Sequence, residues 1–127
     1  MAYEEGLEVL SRPAAVDLNG ATDKYTGVKL DGSGNVAKFA AITDAPIGVL
    51  QNEPKAGDPA RFAINGVSKV RAGAAIGAGV EFSFSATGLV VPAASTSYVA
   101  GTTVTAAGGS GEIISAIINP ISARIKP

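Results

Sequence analysis

The side chains best suited to catalysis in this sequence are its carboxylates, because the chain contains no histidine. Two carboxylates on either side of a glycosidic bond are sufficient for sugar hydrolysis. The candidate pairs are Glu4 with Glu5, Asp17 with Asp23, Asp31 with Asp44, and Glu53 with Asp58. No pair is set apart by its neighbours, and the chain has no tryptophan to stack on a sugar. The carboxylates are therefore predicted to be solvated surface groups.

Other catalytic and metal-binding chemistry is restricted by composition. The chain has neither cysteine nor histidine, so it lacks the residues for a thiol nucleophile, a disulfide, a Cys/His zinc site or a Ser-His-Asp triad. We therefore expect no enzymatic activity, no catalytic residues and no metal site.

One glycine motif could be taken for a nucleotide site. The segment Gly32-Ser33-Gly34-Asn35-Val36-Ala37 matches the pattern G-x-G-x-x-A. That pattern binds a pyrophosphate when its glycines open a helix within a βαβ unit. Here the residues that follow have the composition of a strand, and no glycine in the chain precedes a lysine as a P-loop would require. The motif is interpreted as a hairpin loop, and no cofactor is expected.

Charge and hydropathy limit the partners. Ten basic and eleven acidic residues give a net charge of −1, without the basic cluster that nucleic acids require. The longest uncharged apolar stretches are far shorter than the 18 or so residues of a membrane-spanning helix. The segment Met1 to Glu5 also lacks the basic start and apolar run of a secretory signal. We expect a soluble protein that binds neither nucleic acid nor membranes.

The 127 residues, 46% of them hydrophobic, correspond to one small domain. Short runs rich in β-branched and aromatic residues alternate with Gly, Asp, Asn and Pro, which predicts an all-β fold of about eight strands. The runs are Tyr25 to Leu30, Asn35 to Ile42, Ile47 to Gln51, Ala60 to Ile64, Val67 to Arg71, Val80 to Phe84, Leu89 to Val91, Tyr98 to Thr105, Glu112 to Ile118 and Ile121 to Ile125. The expected architecture is a small β-barrel or barrel-like sandwich.

Local signals predict how some of the runs are connected. Asp31 to Asn35 supplies glycines for a hairpin loop. Asn65-Gly66 lies between two strand-like runs and predicts a two-residue hairpin turn. The segment Arg71 to Val80 is rich in alanine, but its glycines disfavour a helix. It is predicted to be a loop with one helical turn.

The first 23 residues show no sustained periodicity and are predicted to form a flexible N-terminal arm, followed by a barrel domain over residues 24–127. The arm is open to two interpretations. It is either a frayed terminus or a segment that docks on a partner, for instance as an added strand. In the second case the contacts would come from Tyr3, Leu7, Val9 and Leu10.

The stretch from Ile47 to Val80 carries a series of short motifs. They are Gly48-Val49-Leu50-Gln51-Asn52-Glu53-Pro54-Lys55-Ala56-Gly57-Asp58, then Ala60 to Ile64, Asn65-Gly66-Val67, and Ala72-Gly73-Ala74-Ala75-Ile76-Gly77-Ala78-Gly79. The series resembles the capsid cement (decoration) proteins of tailed phages. Their pattern is a G-V strand, an A-G-D turn, a strand ending in S/N-G-V, and A-G-A-A-I-x-A-G. The chain departs from the family at Ile113 to Ile118, where the usual second G-V-A strand lacks its glycine.

The resemblance implies a compact β-barrel without enzymatic activity that binds the outer surface of a phage capsid and stabilises the shell. It implies that the major capsid protein is the partner, that the protein is a homo-oligomer, a trimer or a dimer, and that its place is the outer capsid surface of the virion after synthesis in the host cytoplasm. Two other functions stay open. One is a receptor- or glycan-binding β module of a phage fibre or tail, and the other is a carboxylate hydrolase.

Overall fold

The computed structural model describes residues 2–120 and 124–126 and confirms the all-β prediction. Eleven strands occur in this part of the chain, and most have six residues or fewer. They are β1 (Glu5–Pro13), β2 (Gly27–Leu30), β3 (Val36–Lys38), β4 (Gly48–Leu50), β5 (Pro59–Arg71), β6 (Glu81–Phe84), β7 (Val90–Pro92), β8 (Tyr98–Val99), β9 (Gly101–Thr103), β10 (Ile113–Ile118) and β11 (Arg124–Ile125). Of the run predicted at Ile121 to Ile125, the first three residues lie outside the described part.

Nine strands form one antiparallel sheet. Its order is β3-β2-β4-β5-β10-β9-β6-β7, and β1 pairs with β5 beside this path. The two remaining strands, β8 and β11, pair with each other. The large sheet curls into a half-barrel, which confirms the barrel-like architecture.

The curl brings the two ends of the sheet together. Phe39, just after β3, contacts Phe84 of β6 edge-on, with ring centroids 5.5 Å apart. The main-chain N–H of Gly27 in β2 donates to the carbonyl of Gly88, in the turn between β6 and β7, at 2.8 Å. The contacts join strands that are far apart in the sheet order, so they hold the curled shape.

Two apolar clusters pack on opposite faces of the central strands. Val49 and Ala63, paired between β4 and β5, belong to the larger cluster with Phe82 and Phe84. The next pair along, Leu50 with Phe62, belongs to the smaller cluster. Successive side chains of a strand point to opposite faces, so β4 is buried on both sides, as is β5 where Phe62 and Ala63 follow one another.

The structure differs from the sequence expectation at Asn65-Gly66. No hairpin turn forms there, and both residues lie within the 13-residue strand β5. Gly66 has φ +105°, and a Cβ at this position would lie 2.5 Å from the carbonyl oxygen of Gly6. Glycine at this position therefore allows β1 and β5 to approach each other closely, which is a common role of glycine within a strand.

The other two predicted connections had different outcomes. The loop Asp31 to Asn35 joins the paired strands β2 and β3, as predicted. Between Arg71 and Val80, the structure contains isolated bridges in place of the expected helical turn. These bridges connect Ala72 to Val90 and Ile76 to Ala107. The pairing gives the alanine-rich segment main-chain partners that a short helix would otherwise have supplied.

The N-terminal segment is part of the fold, which differs from the separate arm predicted over residues 1–23. Residues 5–13 pair with β5, and both Ala14 and Leu18 are buried in the smaller cluster. Their main-chain N–H groups donate to the carbonyls of Asp58 and Pro54 at 2.9 and 2.8 Å. The apolar residues of this extended segment are widely spaced. They suffice to hold the segment on the domain because hydrogen bonds to distant loops fix the backbone between them.

Candidate functional site

The N-terminal strand β1 is an edge of the sheet. It pairs with β5, and no other strand of the described residues pairs with it. One row of its main-chain N–H and C=O groups therefore faces away from the sheet. Such a row is a template for another strand. We refer to Glu5–Pro13 as the β1 edge.

Two of the predicted contact residues anchor this edge. Leu7 and Val9 are half-buried and pack against the larger apolar cluster. Val9 lies opposite Ala63 of β5, which is fully buried. Their apolar surface is used within the fold, so they hold β1 against the sheet.

A third predicted contact residue, Leu10, is available to a partner. Its side chain is 52% exposed, although it lies opposite the buried Phe62. Leu10 is thus an uncovered apolar side chain on the edge strand.

Tyr3 lies over a different strand. The hydroxyl of Ser115, in β10, donates to the Tyr3 carbonyl at 2.8 Å and also accepts a hydrogen bond from the Tyr3 N–H. Ser115 is completely buried, whereas Tyr3 is 42% exposed. The segment before β1 therefore crosses onto β10 and covers this serine, and it leaves the tyrosine in contact with solvent.

An exposed isoleucine lies next to this crossing and was missed by sequence reasoning. Ile117, two residues after Ser115 on the same face of β10, is 53% exposed. Its cross-strand neighbours, Val67 in β5 and Thr102 in β9, are half-buried. The run of isoleucines in β10 gave no signal that one of them faces solvent. We refer to Tyr3, Val67, Thr102 and Ile117 as the β10 face.

Of the carboxylate pairs considered for catalysis, Asp31 and Asp44 each organise a loop. Asp44 accepts hydrogen bonds from the main-chain N–H groups of Ala40 and Ala41 and from Nζ of Lys29 at 2.9 Å. The hydrogen bond from the Ala40 N–H has the largest effect on the pKa of Asp44, and the one from Lys29 the next largest. Both hold this pKa below its ordinary value. Asp31 accepts from the N–H groups of Asn35 and Ser33, which lower its pKa in the same way. These contacts fix turns and leave neither carboxylate poised as a proton donor near neutral pH.

The described residues show neither a candidate metal site nor a membrane-spanning helix. The described residues contain no group of three or more acidic, histidine or cysteine side chains that could hold a metal ion. Within residues 2–120 and 124–126, no helix has the length and apolar character needed to cross a membrane.

The fold is similar to that of a phage structural protein. No protein-family model matches the sequence, and no curated protein matches it. Among solved structures, the chain is similar to the crystal structure of the head fiber gp8.5 N base in bacteriophage phi29. The TM-score is 0.67, the sequence identity is 18%, and the similarity covers 96% of this chain and 100% of that chain. The curled all-β fold is therefore one that also occurs in a phage head fiber.

Proposed function

We propose that this protein is a structural component of a phage virion that binds the outer surface of the capsid and stabilises the shell as a cement protein. The observation that carries the proposal is the similarity of nearly the whole chain to the base of a phage head fiber. The series of motifs between Ile47 and Val80, which resembles that of the cement proteins, also supports the proposal.

The β1 edge is the proposed contact with the major capsid protein. A capsid segment that adds alongside β1 would satisfy the outward main-chain groups, and side-chain contacts would set the specificity. Leu10 supplies the exposed apolar side chain at this edge. Leu7 and Val9 contribute indirectly, because they keep β1 in place.

The β10 face is the proposed contact between copies of the protein. Tyr3 and Ile117 are both more than 40% exposed, and burying such apolar surface contributes roughly 25 cal/mol per Å². A dimer or trimer would also place several β1 edges on one capsid. Multivalent attachment then raises the overall affinity without new contacts at each site.

The direct test is binding to heads of the encoding phage that lack this protein. Wild-type protein should co-sediment with the heads and raise their melting temperature. Leu10→Asp should weaken binding by about tenfold or more, because it removes a buried leucine contact and introduces a charge at the interface. Leu30→Asp is the matched control, since Leu30 is 42% exposed but lies on β2. Equal binding of the two variants to the heads would show that β1 is not part of the interface with the capsid.

A second candidate function follows from the neighbour's being part of a head fiber. In this case the chain is a receptor- or glycan-binding module of a fibre or tail. Saturable binding to host-cell glycans, with no binding to heads, would favour this alternative over the cement function.

A further inference from the structure

A cavity of about 430 Å³ lies outside both proposed contact surfaces. Its lining combines two cations, Lys38 and Arg71, with the apolar side chains of Phe39 and Leu89. Small-molecule sites have this size and this combination of an apolar wall with a few polar groups. The cavity is therefore large enough for a ligand rather than for a single water molecule.

Arg71, the last residue of β5, has unused hydrogen-bonding capacity. Its Nε is buried and has no acceptor among the described residues. Nη2 donates to the Lys24 carbonyl at 3.5 Å, which is a long hydrogen bond. Buried polar groups in proteins nearly always have a partner, and an orphan points to a missing ion, water or ligand.

The backbone beside Arg71 is held in an unusual conformation. Tyr25 has φ +69°, which is rare for a bulky residue. Its carbonyl accepts the Arg71 main-chain N–H at 2.9 Å, and its own N–H donates to Leu50 at 2.8 Å. Strained residues persist where the surroundings fix them, and they cluster at binding sites. Tyr25 therefore fixes the end of β5 from which the arginine projects.

The charges at the cavity favour an anion. Asp23 also lines the cavity, but Lys38 Nζ lies 3.5 Å from its Oδ1. Arg71 has no carboxylate partner within the described part of the chain.

We propose that this cavity binds a small monocarboxylate with an apolar body. The carboxylate accepts hydrogen bonds from the Arg71 guanidinium, a pairing that suits the planar geometry of both groups. The apolar body contacts Phe39 and Leu89. A phosphate dianion is disfavoured because the Asp23 carboxylate repels a second negative charge more strongly than a first. The site does not depend on capsid binding.

The test is a titration of the full chain followed by NMR of the arginine Nε–H groups. Benzoate is the probe, benzamide is its neutral control, and phenyl phosphate is the competing anion. Benzoate should shift the Arg71 Nε–H signal with a dissociation constant on the order of 1 mM, as expected for a ligand of this size. Equal shifts with benzamide would overturn an anion site, and tighter binding of phenyl phosphate would overturn the carboxylate assignment.

Variants then locate the binding. Arg71→Gln lacks the reporter Nε–H, so its binding is followed through the NMR signals of benzoate, and its affinity should be about tenfold weaker, as for loss of a charged hydrogen bond. Arg61→Gln is the matched control because Arg61 is an exposed arginine of the same strand, and it should bind like wild type. If Arg71→Gln fails to fold, Lys38→Gln provides a second variant, since that side chain is 55% exposed. Lys38→Gln should weaken binding several-fold, and wild-type affinity in this variant would contradict the placement of the site.

Discussion

Gly27 in β2 lies directly against the ring of Phe84 in β6, so that a Cβ at position 27 would be 2.4 Å from the ring. The two strands are far apart in the sheet order and meet because the sheet curls. Because Gly27 has no side chain, the curled sheet can bring β2 against the ring of Phe84.

Gly27→Ala should therefore destabilise the fold. The added methyl group must displace a ring that is only 2% exposed, and overpacking of this kind costs about 1–3 kcal/mol of unfolding free energy. Chemical denaturation of the two proteins measures the difference. Gly32→Ala is the control, because nothing lies within 4 Å of its Cβ position, and unchanged stability in both variants would contradict the role of Gly27.

Substitution by aspartate should affect the stability of the fold differently at Val9 and at Leu10, which are neighbours in β1. Val9→Asp should lower the unfolding free energy by about 1–3 kcal/mol, because Val9 packs against the larger apolar cluster. Leu10→Asp should change it by less than about 0.5 kcal/mol, since Leu10 is 52% exposed. Thermal unfolding followed by circular dichroism tests both. An unaffected Val9→Asp variant would indicate that β1 is a loose arm in solution.

Amide exchange in the free protein tests the same strand without a mutation. Antiparallel pairing protects alternate N–H groups of an edge strand, so about half of the amides of Glu5–Pro13 should exchange slowly. The exposed loop residue Ser33 donates its N–H to Asp31 and provides a local comparison of marginal protection. Fast exchange along all of β1 would favour an arm that becomes ordered only on a partner.

Acid should weaken the fold through Asp44. Its pKa is lowered in the folded state by the Ala40 N–H and by Lys29. The stabilisation it contributes is therefore complete above the ordinary value of 3.8 and is lost as pH falls through the lowered folded pKa. Asp44→Asn should reduce the melting temperature at pH 7 and flatten its fall below pH 4 or so. Glu53→Gln, at an exposed position, controls for the loss of one charge, and an identical pH profile in Asp44→Asn would contradict this assignment.

The sequence predicted those parts of the fold that local chemistry determines. The loop at Asp31 is one example, because an aspartate that accepts two nearby N–H groups and two flexible glycines suffice to reverse the chain. Asn65-Gly66 carries the same kind of signal, yet it lies within β5 because Gly66 is needed for the approach of Gly6. Both a tight turn and a close approach of two strands require glycine. The local sequence therefore did not show which of the two roles Gly66 has.

The candidate sites depended on contacts between distant residues and were harder to predict. Tyr3 and Ser115 are 112 positions apart, and nothing near either residue indicates the partner. Leu7, Val9 and Leu10 were identified as apolar residues on an N-terminal segment, but their different exposures follow from pairing with β5. Arg71 entered the sequence analysis only as the end of a predicted strand, because its unsatisfied Nε is a consequence of the packing around it.

A cryo-EM map of phage heads incubated with the protein shows directly whether and where it binds the shell. The cement function predicts density for the curled half-barrel on the outer surface of the shell, in two or three copies per site, with a capsid-protein segment alongside Glu5–Pro13. Bare heads at saturating protein, or density confined to a fibre or tail, would contradict it.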